Sequence, residues 1–256
     1  MKKKPKVCIL RAAGTNCDRE TGFAFVKAGA DIEFVHINRL INRDKNIHDY
    51  QVLAIPGGFT YGDDIAAGKI LANELRYKLA QDLKKFIREG KLIIGICNGF
   101  QVLVKSGLLP GNPELKQETS LIINDSGKFE DCWVYLRQKA KGKKQKCIWA
   151  RNLPEIIYLP IAHGEGKFVT QDKAVLARLK QNNQIVFRYH LSNPNGSEDN
   201  IAGICDETGR ILGLMPHPER HADFSQHPRW TGAKIKSEGE GLQIFRNGVK
   251  YAQELL

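Results

Sequence analysis

Residues 91–103 read Lys-Leu-Ile-Ile-Gly-Ile-Cys-Asn-Gly-Phe-Gln-Val-Leu. The apolar run Leu92–Ile96 is short and carries no charged side chain, which is typical of a strand buried on both faces of a sheet. We predict that this strand ends at Cys97 and that a helix begins directly behind it. A strand joined to a helix in this way is the basic unit of α/β folds.

The front half of the chain alternates strand-like and helix-like segments around this stretch. Strands are predicted over 6–14, 31–37, 51–55 and 91–97, and helices over Asp18–Lys27, before Gly29, and over roughly Ala66–Glu89, before Gly90. Short apolar runs separated by helices predict a parallel sheet that is covered on both faces.

The back half consists of shorter strand-like segments. They cover 121–125, 132–138, 156–163, 167–170, 184–190, 200–206 and 210–217, and a last helix is predicted over about 241–256. We expect these strands to add antiparallel edges to the sheet and to close it. Because the chain shows no repeat and no linker, we predict one α/β domain over residues 1–256. Its sheet would be open and mostly parallel, with helices on both faces and extra antiparallel strands in the C-terminal half.

The composition is that of a soluble globular protein. Of 256 residues, 42% are hydrophobic and 26% are charged, which excludes a disordered, collagen-like or coiled-coil chain. The formal net charge of +11 is concentrated in two runs, since Lys2–Lys6 carries four positive charges and Arg137–Lys146 carries six. The rest of the chain is close to neutral, and we interpret the segment 138–147 as a solvated basic loop.

The sequence shows no recognisable membrane or export segment. The apolar run Val7–Leu10 stops at Arg11, whereas a signal peptide needs roughly 7–15 apolar residues and a membrane span needs about 18. None of the six cysteines forms a Cys-x-x-Cys pair. We therefore expect a cytoplasmic protein in a reducing compartment, without membrane contact.

Cys97 is the candidate nucleophile. A tight turn between a strand and a helix is the setting of a nucleophile elbow, here with cysteine in place of serine. Flanking glycines permit such a strained turn, and the helix N-terminus behind the thiol favours its thiolate form. The backbone amide of Asn98 would point to the place where an oxyanion forms. A buried structural cysteine at a strand end is the alternative interpretation.

His217 and Glu219 are the candidate base and its orienting carboxylate. They lie in Met-Pro-His-Pro-Glu-Arg, residues 215–220, directly after a predicted strand. The prolines favour extended backbone, in which side chains two residues apart share a face. The carboxylate could then hold the imidazole as the third member of a Cys-His-Glu triad. A surface turn with two prolines is the alternative interpretation.

Two further motifs end predicted strands. Pro56–Asp64 reads Pro-Gly-Gly-Phe-Thr-Tyr-Gly-Asp-Asp and is a candidate source of a second oxyanion donor, because glycines let backbone amides face a ligand. His163, in Ala-His-Gly-Glu-Gly, competes with His217 for the role of base. No histidine or cysteine cluster has the spacing of metal ligands, so we predict no metal site.

Together these motifs resemble the class I, or triad, glutamine amidotransferases, in which a cysteine is followed far downstream by His-x-Glu. Within that class the chain is most similar to the glutaminase subunits of phosphoribosylformylglycinamidine synthase, an enzyme of purine biosynthesis. The resemblance implies a flavodoxin-like fold. The motifs that carry it are 12–21, 56–64, 95–103, 162–168, 193–197 with the strand behind it, and 215–220.

The resemblance implies a role for each candidate residue. Cys97 attacks the side-chain amide of glutamine, and the backbone amides of Gly58 and Asn98 hold the oxyanion. His217, oriented by Glu219, protonates the departing ammonia and then activates the water that hydrolyses the glutamyl thioester.

The resemblance also implies a substrate contact and partners. Gln101, one turn past the nucleophile, helps to seat glutamine. Ammonia passes to a separate synthetase subunit, which uses ATP and Mg to convert formylglycinamide ribonucleotide to the amidine, often with a small bridging protein. No cofactor is expected in this chain, because it has no nucleotide-binding motif. Residues 112–150 match the family pattern only loosely.

Other functions fit these residues less well. An α/β-hydrolase with a cysteine nucleophile would place the acid before the histidine and far from it. Peptidase-like or chaperone members of the same fold would not need residues 193–197 or the His-Pro-Glu pair. Another triad amidotransferase or a free-standing cysteine hydrolase is the alternative that remains open. Nucleic-acid binding through the basic runs is disfavoured, because the runs contain no aromatic residues.

Overall fold

The computed structural model describes residues 3–112, 114–138, 145–232 and 238–256, so positions 139–144 of the predicted basic loop lie outside the described residues. Within these ranges the strands are β1 (Lys6–Arg11), β2 (Asp31–His36), β3 (Val52–Ile55), β4 (Leu92–Ile96), β5 (Thr119–Ile122), β6 (Glu130–Gln138), β7 (Ile156–His163), β8 (Lys167–Thr170), β9 (Ile185–His190), β10 (Ile201–Cys205) and β11 (Ile211–Leu214). The helices are α1 (Asp18–Lys27), α2 (Ile37–Ile41), α3 (Lys69–Lys78), α4 (Ala80–Arg88), α5 (Asn98–Lys105), α6 (Lys173–Gln181) and α7 (Leu242–Gln253).

Among the described residues, nine strands form one sheet in the order β2-β1-β3-β4-β11-β10-β9-β6-β7. The neighbours from β2 to β11 are parallel, and those from β11 to β7 are antiparallel. Every residue of β3 and β4 is buried, so the central strands are covered on both faces. The predicted fold class, an α/β sheet with extra antiparallel strands in the C-terminal half, is confirmed.

Two of the predicted edge strands do not join this sheet. β5 and β8 pair with each other in a separate antiparallel ribbon. Leu121 and Phe168 of the ribbon are fully buried, and Phe168 stacks on Phe100 of α5 with ring centroids 6.2 Å apart. The expectation that these segments would extend the main sheet is therefore wrong, because the ribbon buries its apolar face against α5 instead.

The helix predicted over 66–89 is two helices. α3 begins after Gly68, whose φ of +72° is left-handed. At Leu79, with φ −122° and ψ 9°, the chain leaves the helical conformation before α4 begins. Leu75, Leu79 and Leu83 are all buried, so both helices and the break between them pack against the core. No proline or glycine marks this break in the sequence, which is why propensity alone predicted one helix.

The topology brings the candidate motifs to one edge of the sheet. The carboxyl ends of neighbouring parallel strands meet at the same edge, and β1, β3, β4 and β11 are such neighbours. β7, the last strand of the antiparallel part of the sheet, also reaches this edge. The His217 amide donates to the carbonyl of Pro160 in β7 at 2.8 Å. The segment after β11 therefore lies beside β7, and the Cys97 thiol after β4 lies 3.6 Å from the Ala162 carbonyl near the end of β7.

None of the helices in the described ranges has the length and apolar character that a bilayer span requires.

Candidate active site

Cys97 lies on a strained turn between β4 and α5. Its backbone, with φ 51° and ψ −106°, is outside the regions that L-residues favour. The turn needs the small residue that follows it, because a Cβ on Gly99 would lie 1.9 Å from the carbonyl oxygen of Ile55. The Cys97 amide is tied to the neighbouring strand by donating to the Leu214 carbonyl at 2.8 Å. This geometry is that of a nucleophile elbow.

The imidazole of His217 contacts the carboxylate of Glu219. Their Nδ1 and Oε1 atoms are 2.6 Å apart, and both side chains are buried. The contact is the one expected from the spacing, but the predicted geometry was wrong, because Pro218–His221 forms a 3₁₀ turn instead of extended chain. Pro218 starts this turn, which brings the carboxylate back to the ring.

The carboxylate controls the charge of this histidine. Burial by itself lowers the pKa of His217, but the attraction of Glu219, together with Cys97, raises it well above the ordinary value. Nε2 makes no hydrogen bond of good geometry within the described residues, although the thiols of Cys97 and Cys17 lie close enough to influence the pKa. Nε2 is therefore the ring atom left for proton transfer, and Nδ1 is held by Glu219.

Two backbone amides lie at the ends of strands that flank the nucleophile. Asn98 is the first residue of α5, where a helix N–H has no acceptor within the helix. Gly58 follows β3 with φ +135°, and within the described ranges no acceptor is found for its amide. These are the two positions predicted to hold an oxyanion, and this role stays a prediction.

The side chain of Gln101 is engaged with protein groups. Its Nε2 donates to the Glu165 carbonyl at 2.7 Å, and its Oε1 accepts from Asn98 Nδ2 at 2.9 Å. The residue is almost completely buried. A contact between Gln101 and glutamine, as predicted, would require these bonds to rearrange.

A buried polar network that the sequence reasoning missed clamps the glycine-rich turn. Asn98 Oδ1 accepts from the Thr60 hydroxyl at 2.6 Å, and Asn98 Nδ2 also donates to Asp63 at 2.9 Å. Burial raises the pKa of the Asp63 carboxyl. Lys105, also buried, donates to the Ala67 carbonyl at 2.6 Å and lies 3.5 Å from Glu165. Side chains along the whole of α5 therefore connect the turn after β3 with the turn after β7.

His163 has surroundings unlike those of His217. It is buried beneath Gly166, its Nδ1 has no partner within the described residues, and its Nε2 is 3.5 Å from Asn195 Nδ2. Burial, with a contribution from His217, lowers the pKa of His163 to about 4. The ring is therefore neutral at physiological pH, and its neighbour is the amide nitrogen of Asn195, from the motif 193–197, instead of a carboxylate.

The neutral state of His163 predicts a pH effect on stability. The unfolded chain binds the proton below the ordinary pKa of 6.5, whereas the folded chain binds it only near 4, so folding stability falls as the pH drops between these values. At pH 4.5 this loss is about 2.5 kcal/mol. Between pH 7 and 4.5 the free energy of unfolding should fall less in His163→Gln than in the wild type, and the difference should equal this loss. Urea denaturation at both pH values measures it. Equal losses in both proteins, or the same change in the control His190→Gln, would contradict this account.

A second cysteine lies beside the His217–Glu219 pair. Cys17, Glu20, His217 and Glu219 offer ligand atoms that all lie within 4.8 Å of one another, and by type they could hold a metal ion. Arg220 already donates to Cys17 Sγ at 3.2 Å and to Glu20 Oε1 at 3.0 Å, which supplies a positive charge at this place. The absence of a metal site stays a prediction. The sequence reasoning had not placed Cys17 or Arg220 at the site, although both lie within motifs that carried the resemblance.

Comparison with known proteins gives consistent matches over nearly the whole chain. The family model for CobB/CobQ-like glutamine amidotransferase domains matches residues 4–252. Phosphoribosylformylglycinamidine synthase subunit PurQ of Dehalococcoides mccartyi is 46% identical, with coverage of 98% of this chain and 99% of that protein. The subunit of the same name from Archaeoglobus fulgidus is 42% identical, with coverage of 98% of each chain.

Solved structures also resemble this chain over nearly its whole length. A chain of the PurLQS structure from Thermotoga maritima has a TM-score of 0.75 at 33% identity and covers 97% of this chain and 99% of its own. A glutamine amidotransferase from the same organism has a TM-score of 0.53 at 16% identity, with 99% and 95% coverage, and supports the fold alone.

Proposed function

The chain belongs to the CobB/CobQ-like glutamine amidotransferase family, and we propose that Cys97, His217 and Glu219 are the triad with which it hydrolyses glutamine. Its relatives of the same length identify it as the glutamine amidotransferase subunit of phosphoribosylformylglycinamidine synthase, an enzyme of purine biosynthesis. One observation supports the proposal for the triad: β4 and β11 are parallel neighbours, so the strained cysteine after β4 and the buried imidazole–carboxylate pair after β11 lie at the same edge of the sheet.

In the first half of the reaction, Cys97 Sγ attacks the side-chain carbonyl carbon of glutamine. A carbon–sulfur bond forms, and the carbonyl oxygen takes the negative charge between the amides of Gly58 and Asn98. His217 gives the proton on Nε2 to the leaving nitrogen, the carbon–nitrogen bond breaks, and ammonia departs. The raised pKa of His217 suits this step, since the ring starts in its protonated form.

In the second half, His217 acts in the opposite direction. With the proton gone, Nε2 takes a proton from water, and the hydroxide formed attacks the glutamyl thioester. The carbon–sulfur bond breaks, and glutamate leaves. Glu219 holds Nδ1–H throughout, so that Nε2 always faces the reacting atoms.

The ammonia produced is used elsewhere in the synthase. We propose that it passes to a synthetase subunit that holds ATP and Mg, and that a small bridging subunit joins the two in the cytoplasm. Two features support this division: the chain contains no nucleotide-binding motif, and a solved relative comes from a structure titled PurLQS.

We expect the isolated chain to hydrolyse glutamine weakly and the synthetase to stimulate it strongly. In the chain alone, both polar atoms of the Gln101 side chain are bound to protein groups, and we expect binding of the partner to release this side chain for contact with glutamine. Allosteric couplings of this kind are worth roughly 5- to 150-fold, and we expect a rise within that range in kcat/KM for glutamine.

The test measures glutamate release by the chain alone and then after stepwise addition of the synthetase, ATP and formylglycinamide ribonucleotide. The complex with Cys97→Ser is the control for ammonia or glutamate from other sources. Full activity in the isolated chain, unchanged by the synthetase, would mean that the protein is a free-standing glutaminase.

A further inference from the structure

The segment Gly14–Cys17, between β1 and α1, is bonded to the turn that carries Gly58. The Cys17 amide donates to the Gly57 carbonyl at 3.3 Å, and the Phe59 amide donates to the Gly14 carbonyl at 3.0 Å. Thr15 and Gly58 form an isolated antiparallel bridge. A Cβ on Gly14 would lie 2.0 Å from the Phe59 carbonyl oxygen, so the two segments are in direct backbone contact.

The hydrogen bond to the Gly57 carbonyl affects the oxyanion donor, the Gly58 N–H, because this carbonyl and this N–H belong to one peptide group. The carbonyl of Gly57 and the N–H of Gly58 are the two ends of a planar trans peptide and point in opposite directions. When the Cys17 amide fixes the direction of the Gly57 carbonyl, it also fixes the direction of the Gly58 N–H. The segment Gly14–Cys17 therefore sets the orientation of the Gly58 N–H, the proposed oxyanion donor.

The side chain of Cys17 is fixed in turn by the arginine behind the triad. Arg220 Nη2 donates to Cys17 Sγ at 3.2 Å, and Arg220 Nε is held by Glu20 Oε1 at 3.0 Å. Burial raises the pKa of the Cys17 thiol to about 11, so Cys17 is a neutral acceptor and not a second nucleophile.

The Gly57 peptide also lies next to the proposed base, His217. A Cβ on Gly57 would lie 2.9 Å from Cε1 of His217 and 3.1 Å from Sγ of Cys17, so the peptide, the imidazole and the thiol are in contact. Arg220 lies three residues after His217 in the same turn. A shift of Cys17 would therefore move the Gly58 amide relative to His217.

We propose that Cys17 and Arg220 are positioning residues that hold the Gly58 amide in the orientation needed to bind the oxyanion. Arg220 anchors the Cys17 side chain, and the Cys17 backbone amide anchors the Gly57–Gly58 peptide. This inference rests on the proposed function of Cys97, His217 and Gly58, and assigns to Cys17 and Arg220 no contact with the substrate.

The test compares Cys17→Val, Cys17→Ser and Arg220→Met in the reconstituted synthase. Valine removes the acceptor for Arg220, and serine keeps one. Loss of a whole oxyanion donor costs about 10²–10³ in kcat, so we expect a misdirected donor to cost about tenfold or more in Cys17→Val and Arg220→Met, with KM within about threefold of wild type. Cys17→Ser should recover most of the activity.

Alkylation of Cys97 by iodoacetamide separates positioning of the oxyanion donor from damage to the triad. This reaction needs the thiol and its histidine but no oxyanion donor, so its rate, followed on the Cys97 peptide by mass spectrometry, should stay within about twofold of wild type. Equal losses of kcat and alkylation rate would overturn the inference, as would unchanged kcat in all three variants. Lys27→Gln is the matched control, since Lys27 joins α1 to Asp223 without touching Cys17, and it should behave as wild type.

Wild type and Cys97→Ser in the same assay distinguish the two proposals. If Cys97→Ser still hydrolyses glutamine, the proposed function fails. If Cys97→Ser is inactive and the Cys17 and Arg220 variants equal wild type, only the positioning role fails.

Discussion

Cys97→Ser is expected to abolish glutamine hydrolysis, with kcat below about one thousandth of wild type, and to leave the fold intact. The backbone at φ 51° determines where the side chain of residue 97 lies, so the oxygen of serine would occupy the place of the sulfur. A hydroxyl is a much weaker nucleophile than a thiolate. The loss would therefore be chemical and not structural.

Steady-state glutamate release by the complex, together with circular dichroism of the variant, measures this effect. Cys132→Ser, at an exposed cysteine on β6, controls for removal of a thiol and should retain wild-type activity. Substantial hydrolysis by a folded Cys97→Ser protein would rule out Cys97 as the nucleophile and with it the triad.

His217→Ala is expected to cost far more activity than His163→Ala. General acid–base catalysis contributes about 10²–10⁴ in rate, and we expect a loss near the upper end for His217 and about tenfold or less for His163. His217 has a carboxylate on Nδ1 and a pKa raised well above the ordinary value. His163 is kept neutral by burial and packs under Gly166, so its removal disturbs packing without removing a proton carrier.

Rapid-quench measurement of thioester formation compares the two variants in the acylation step itself. His163→Gln, which keeps polar atoms near Asn195, controls for the cavity that alanine leaves. A larger loss of acylation in His163→Ala than in His217→Ala would reverse the assignment of the base.

The sequence predicted the parts of the site that depend on short linear motifs. The spacing of Gly95, Cys97 and Gly99 predicted the elbow, because only a small residue fits beside the neighbouring backbone there. The contact between His217 and Glu219 was predicted too, but from an extended segment, whereas a 3₁₀ turn produces it. Two residues of spacing are compatible with both geometries, so spacing alone could not decide between them.

Features that depend on distant segments were not predictable in this way. The break at Leu79 has no local signal, since no proline or glycine lies within residues 69–88. The contact of Cys17 with Arg220 joins residues 203 positions apart. Its only sequence signal was that both residues lie in motifs shared with the family, which indicates importance without indicating a partner.

The identity of the acylated residue tests the account most directly, because two cysteines lie near His217. The complex is quenched in acid during turnover of glutamine, and its peptides are searched by mass spectrometry for a glutamyl adduct. The account predicts the adduct on Cys97 and its disappearance in Cys97→Ser. An adduct on Cys17, or continued ammonia release with no adduct on any cysteine, would contradict it.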